Sequence, residues 1–161
     1  MKKFELTTDT KMFLGRKLFR IKALISFGNV RAGDMGGYIE KEENLSQYGN
    51  AWVYGNAKVY GNALVSGDAL VSGNAEVSGD ALVSGNADYA TASGFGSEYR
   101  TTTFFKLKNS DEIGVRCGCF YGTLKEFKEK VKETHGESKK AKEYLMLADL
   151  MEYRFSEEKK A

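Results

Sequence analysis

The sequence contains no proline, one histidine, one tryptophan and two cysteines in 161 residues. Without proline, every reversal of the chain must be built from glycine, asparagine, aspartate or serine. Cys117 and Cys119 are separated by one residue. On a strand their Cα atoms would stand about 7 Å apart on one face, too far for a relaxed disulfide. They are expected as free thiols packed inward, in a reducing, cytoplasmic compartment. A structural zinc site would need more ligands of this kind than the chain has, and no metal or cofactor is expected. No apolar run is long enough to cross a membrane. Met1-Lys2-Lys3-Phe4-Glu5-Leu6 has no long apolar core, so a secretory leader is not expected. Lys plus Arg number 24 against 22 for Asp plus Glu. That balance excludes a histone-like coat and an acidic mimic of DNA, and nucleic acid is not expected as a direct ligand.

Eighteen glycines are present, and those between positions 49 and 85 are periodic. The chain reads YGNAWV, YGNAKV, YGNALV, SGDALV, SGNAEV, SGDALV, SGNADY, with glycine every sixth residue. Within Ala-x-Val, strand alternation points Ala and Val to one side and x to the other. The Gly-Asn/Asp pair accepts left-handed backbone and supplies the corner. Three such strands make a triangular coil, so positions three hexads apart become neighbours: Val53, Val71 and Tyr89; Val59 and Val77; Val65 and Val83. Upstream, Leu45 and Ile39 fall in the alanine register, with Gln47 in place of a valine. The fold class expected is mainly β, a short parallel β-helix of hexapeptide repeats. The coil resembles the left-handed hexapeptide-repeat helix of acyltransferases, and that resemblance implies the handedness.

The outward positions are Trp52, Leu70 and Asp88 on one face, Lys58 and Glu76 on a second, and Leu64 and Leu82 on the third. Tyr48, Tyr54 and Tyr60 run beside them. Apolar outward faces mark contact with something else. Trp52, Tyr54, Tyr60, Leu64, Leu70 and Leu82 are therefore the candidate partner face. The chain's own C-terminal helices are expected over one apolar face and a second subunit over the other, in a homodimer or homotrimer.

Three segments follow: an N-terminal β segment and cap over 1–46, the repeats over 47–89, and an α+β unit over 90–161. In the first, Lys17 to Phe27 alternates as a strand. In the last, Thr101 to Leu107 and Ile113 to Phe120 read as strands around an Asn109-Ser110-Asp111 turn. Thr123-Leu124-Lys125-Glu126 is a capping box, with Leu124, Phe127 and Val131 as one helical stripe ending at Gly136. Ser138 caps a second helix whose Ala141, Tyr144, Leu145, Ala148, Met151 and Phe155 share a face. The expectation is a ββαα unit.

Gly33-Asp34-Met35-Gly36-Gly37-Tyr38-Ile39-Glu40, with Asn44-Leu45-Ser46 and the hexads, resembles a group of uncharacterised proteins from phages and prophages. Cys117-Gly118-Cys119-Phe120-x-Gly122-Thr123-Leu124, Glu126-Phe127 and Thr134-His135-Gly136 are similar to a module in the same setting. The resemblance covers nearly the whole chain. It implies an accessory phage protein acting in the host cytoplasm, a class that includes inhibitors of bacterial defence.

Enzymatic readings are poorly served. A hexapeptide-repeat acyltransferase typically uses a histidine between subunits as general base. His135 lies outside the repeats, where the end of a helix explains it. Gly33 to Gly37 lacks the lysine and spacing of a phosphate loop and reads as tight turns entering the first coil. The charged residues from Lys125 to Lys142 alternate in sign as a solvated helix face does. The function expected is a non-catalytic binding protein that inhibits a host protein such as a defence nuclease. A second reading is a sponge for a small signalling nucleotide held between subunits. Arg20, Arg31, Arg100 and Arg116 would meet its phosphates and Tyr38 or Tyr121 would stack on its base. A structural phage component is the third.

Overall fold

The computed structural model describes residues 2–96, 100–108 and 110–156. The chain is mainly β with a C-terminal helix pair, and divides into two compact units, Met1–Asn86 and Ala87–Ala161.

The first unit opens with an antiparallel hairpin, β1 (Phe4–Phe13) and β2 (Arg16–Ala23), turned at Leu14-Gly15. The sequence shows only the second of these strands, expected from Lys17 to Phe27 but ending at Ala23, because Thr7 to Met12 carries no apolar alternation. β2 continues antiparallel to β3 (Met35–Ile39), which occupies the glycine-dense segment expected as turns. Gly36 and Gly37 are buried within β3 because side chains there would run into backbone oxygens, Val53 O at 2.6 Å and Ala57 O at 2.7 Å.

The hexads form six two-residue strands: β4 (Trp52–Val53), β5 (Lys58–Val59), β6 (Leu64–Val65), β7 (Leu70–Val71), β8 (Glu76–Val77) and β9 (Leu82–Val83). They pair in parallel three hexads apart, with Val53 opposite Val71, Val59 opposite Val77 and Val65 opposite Val83. β3 joins β5 in parallel, giving a five-stranded sheet of order β1-β2-β3-β5-β8 beside the pairs β4-β7 and β6-β9. All six valines are fully buried, each contributing about 1.5–3 kcal/mol before entropy is charged against it. The corner glycines from Gly49 to Gly79 have φ between 59° and 71°, the left-handed region that favours glycine.

Two register expectations are corrected. Ile39 pairs with Val59 and Leu45 bridges Val65, a spacing of 20 residues, so both stand in the valine register and not the alanine register. The two extra residues fall in the corner before Trp52. There Gln47 Oε1 accepts hydrogen bonds from the Lys3 and Phe4 amides at 2.7 and 3.2 Å, docking the start of β1. Asn86–Asp88 forms a 3-10 turn, Tyr89 enters a new strand and Asp88 pairs with Lys106 at 3.2 Å.

The buried Asn44 side chain closes the upstream corner. It accepts from the Glu40 and Lys41 amides at 3.1 and 2.9 Å and donates to Gly61 O and Ala63 O at 3.2 and 2.9 Å. Every polar atom of that amide is thereby used. Glu40 adds a contact from Gly61 N at 2.9 Å.

Lys3 is 2% exposed, with its ammonium 2.8 Å from Ala51 O and 4.8 Å from the Phe27 ring centre. Burial pulls its pKa from 10.5 down to about 8. Between those values the unfolded chain holds the proton and the folded one sheds it, so stability rises with pH across that window. The urea midpoint is expected to rise between about pH 8 and about pH 9.5, and Lys3→Met is expected to reduce the rise, leaving a remainder from Lys58, whose pKa burial also lowers. An equal rise in the variant would assign the effect to another group.

The second unit contains a four-stranded antiparallel sheet, β10 (Tyr89–Phe95), β11 (Arg100–Lys106), β12 (Ile113–Cys117) and β13 (Phe120–Thr123), in chain order. Helices α1 (Leu124–His135) and α2 (Lys139–Phe155) follow. The expected ββαα unit is corrected to four strands and two helices. The strand expected from Ile113 to Phe120 turns back at Gly118, whose φ is 58°, and β10 supplies the fourth strand. Asn109 of the expected turn lies outside the described residues. Phe104, Val115, Leu124, Phe127, Val131, Ala141, Tyr144, Ala148 and Met151 form the core of this unit.

Candidate functional site

Trp52 and Tyr60, expected on the partner face, are buried. Trp52 is 1% exposed, with Phe4 and Phe27 edge-on to it at 6.3 and 5.3 Å between ring centres. Tyr60 packs with Leu18, Tyr38 and Phe13. The cover is the N-terminal segment of the same unit. Tyr54, Leu64, Leu70 and Leu82 are half-buried, and Tyr48 is exposed.

The expected anion-binding residues separate. In the first unit Arg20 donates to the Tyr38 hydroxyl at 3.0 Å and pairs with Asp9 at 3.4 Å. Arg31 lies in an exposed loop, its amide bonded to Asp34. In the second unit Arg116 and Tyr121 are cross-strand neighbours, and Tyr121 stacks on Phe105 at 6.4 Å. Strand alternation points Arg116 away from Val115 and the helices. Arg100 of this set lines a cleft.

That cleft has a volume of about 340 Å³ and lies between the helix-facing side of the sheet and the two helices. Arg100 enters from the start of β11, Cys117 from the end of β12 and Phe120 from the start of β13. Helix α1 adds Phe127, Lys130, Val131 and Thr134, spaced as one helical face, and then His135. Tyr144 of α2 completes the lining.

Local chemistry fixes these positions. The Thr123 hydroxyl accepts from Glu126 N at 3.2 Å, and the Glu126 carboxylate accepts from Thr123 N at 3.0 Å. This capping box sets where α1 begins and holds the Glu126 carboxyl below its usual range. At the other end Gly136 N donates to Lys132 O at 2.9 Å and stops the helix, leaving His135 against Tyr144 with ring centres 6.0 Å apart. Phe127 meets Tyr144 edge-on at 5.5 Å. Thr102 donates to Cys117 Sγ at 3.2 Å, and that sulfur lies 3.9 Å from the Tyr144 hydroxyl. Burial first, then Cys117, pushes the Tyr144 phenol up to about 12, while Arg100 acts in the opposite direction. Tyr144 is therefore a neutral hydroxyl at physiological pH.

Two glycines make room. A side chain at Gly118 would strike the Arg100 guanidinium, and one at Gly96 would strike the Tyr144 hydroxyl. Gly118 thus explains the spacing of Cys117-Gly118-Cys119: a left-handed turn over which Arg100 lies. Cys117 is half-buried, while Cys119 is exposed and not packed inward as expected.

The lining holds aromatic rings together with Arg100, Lys130 and His135, and no carboxylate among the described residues. Lys130 has an exposed companion, Glu133, at 3.8 Å, a pairing worth little in water. Such a surface suits a small molecule with an anionic group and an apolar or aromatic body. Among the described residues no group of three or more His, Cys, Asp or Glu is placed to hold a metal ion, and no helix is long and apolar enough to cross a membrane.

Cys117 and His135 look dispensable when read one at a time. Joining them takes the turn at Gly118 and the α1–α2 hairpin. One signal was present: Cys117, Phe120, Phe127, Thr134 and His135 all belong to the tail motif, and all line this cleft. The upstream motif behaves differently, since Gly36, Gly37, Glu40 and Asn44 are occupied in packing and corner closure. The chain matches no protein-family model and no curated protein.

Proposed function

We propose that this chain is a non-catalytic phage binding protein, active in the host cytoplasm, that sequesters a small anionic molecule with an aromatic or apolar body. Its repeats make a short left-handed β-helix that serves as scaffold, with the β1–β3 segment as cap. Parallel pairing at a spacing of three hexads supports the coil, and the resemblance of the repeats supports the handedness. The cleft of the second unit is the recognition site.

The single observation carrying the functional reading is the composition of that cleft, with cations and rings converging and no carboxylate among its described lining residues. A phosphate or carboxylate would sit against Arg100 and Lys130. Phe120, backed by Phe127, would lie against the body of the ligand, and Tyr144 would offer a neutral donor. A phosphorylated nucleoside has the required chemistry and size.

Calorimetric titration with nucleoside phosphates and aromatic carboxylates tests this. One member of the panel is expected to bind, with Arg100→Ala weakening it by about tenfold or more. No heat from any member, or equal affinity in the variant, would remove the cleft as the site.

Inhibition of a host protein is the second reading, favoured by Leu14. It sits at φ 49° at the tip of the β1–β2 hairpin and is exposed, beside exposed Met12. A leucine in left-handed backbone costs about 1–2 kcal/mol where Asn or Gly would serve. An exposed, strained apolar residue at a hairpin tip suits contact with a partner. Capture of a host protein that Leu14→Asn abolishes would favour this reading over ligand sequestration.

A further inference from the structure

Every polar side chain lining the cleft of the second unit can donate a hydrogen bond: Arg100, Cys117, Lys130, Thr134, His135 and Tyr144. None is confined to accepting, so the group they surround must be an acceptor on several sides. Arg100 and Lys130 come from different elements, β11 and α1. A carboxylate or a phosphate diester sets one negative charge against these two cations. A phosphate monoester brings about −1.5 to −2 at pH 7, with three terminal oxygens. Two of those oxygens suit the planar fork of Arg100, and the third is left for the Lys130 ammonium. The monoester matches the lining both in charge and in number of acceptors.

Size restricts the rest of the ligand. A cleft of about 340 Å³ stands at the lower end of small-molecule sites, which run over about 300–1,000 Å³. Ring surface is restricted too. Phe127 and Tyr144 are 3% and 5% exposed, and His135 already stacks on Tyr144. Phe120 is half-buried and backed by Phe127, with 5.7 Å between ring centres. Among the three carbon rings of the described lining, Phe120 is the one that keeps surface for a base. A second base would have neither a ring nor the volume to receive it.

We infer that the cleft takes a mononucleotide ending in a phosphate monoester and discriminates against cyclic phosphodiesters and dinucleotides. The inference rests on the sequestration reading and narrows its ligand class. The terminal phosphate lies between Arg100 and Lys130, and the base lies against Phe120. Lys130 determines the specificity, because its ammonium meets the second negative charge of the monoester. Closing a 3′,5′ ring removes one terminal oxygen and that charge while leaving base and sugar unchanged.

Calorimetric titration of the full chain tests this. The panel is the common ribonucleoside 5′-monophosphates, their 3′,5′-cyclic counterparts, a cyclic dinucleotide, benzoate and inorganic phosphate. At least one 5′-monophosphate is expected to bind about tenfold or more tightly than its cyclic counterpart and than inorganic phosphate. Lys130→Gln is expected to weaken the monoester by about tenfold and the cyclic ester by less, narrowing the gap between them. Lys130 is exposed, and circular dichroism of the variant checks that the fold is retained. A gap that Lys130→Gln leaves unchanged would overturn the inference. So would a cyclic ester, dinucleotide or benzoate that binds as tightly as the best monoester. If Arg100→Ala weakens that other ligand, the sequestration reading stands without this narrowing. No heat from any member of the panel would remove both.

Discussion

Trp52→Ala is expected to destabilise the first unit by about 3–5 kcal/mol, the range for removing a large aromatic from a closed core. Trp52 is 1% exposed between Phe4 and Phe27, and its backbone pairs with Leu70 in the β4–β7 ladder. Truncation removes the area of the indole and both edge-on ring contacts. Because Phe4 begins β1 and Phe27 lies between β2 and β3, the cavity would loosen the whole N-terminal cover. Domain stabilities of about 5–15 kcal/mol leave little margin for such a loss. The denaturant midpoint measures it. The same measurement separates a core tryptophan from a docking tryptophan, since an exposed residue would change stability by less than about 0.5 kcal/mol.

Gly36→Ala is expected to cost about 2–3 kcal/mol, although it adds only one methyl group. Its Cβ would stand 2.6 Å from Val53 O, 2.7 Å from Ile21 Cγ1 and 2.8 Å from Trp52 Cζ2. The first of these atoms is backbone within a parallel ladder, so relief requires β3 to move from β4. Gly85→Ala is the control. Nothing lies within 4 Å of a Cβ there, and its φ is outside the left-handed region. That substitution is expected to be neutral or slightly stabilising, by about 0.4–1 kcal/mol, through the unfolded chain. Equal losses at the two sites in thermal unfolding would contradict the close-approach explanation of the motif glycines.

The pairing of the hexads was legible because six-residue timing and strand alternation are both local. Gly-Asn/Asp marks each corner, and Ala and Val must then fall on one side. Corner length is not marked in that way. The corner before Trp52 is two residues longer than the later ones, so Ile39 and Leu45 shift register without any change in their apolar character. The burial of Trp52 was illegible for a different reason, because its cover comes from Phe4 and Phe27. No periodicity links those positions. β1 was hidden by its own exposure, since a strand at a sheet edge need not alternate when neither face is buried along its length.

The cleft was legible only in pieces. The Thr123 and Glu126 box and the Phe127 and Val131 stripe placed α1 correctly, and the stop at Gly136 was evident. The break at Gly118 was missed because Ile113 to Phe120 looks like one strand when a single glycine is taken as tolerated. That break returns β13 alongside β12 and brings Phe120, Arg100 and Cys117 to the same edge as His135. Charge balance along the helices also concealed the site. Lys130 belongs to a solvated face by sequence, yet it lines a cleft with Arg100 by position.

Native mass spectrometry of the protein, purified gently from a bacterial host, tests the sequestration reading most directly. The expected spectrum carries a reproducible excess of a few hundred daltons per chain, lost on denaturation and absent from Arg100→Glu. A bare chain at its sequence mass in both proteins, whatever the oligomer, would contradict a ligand held in the cleft. The exposed hairpin at Leu14 would then become the first place to look for a protein target.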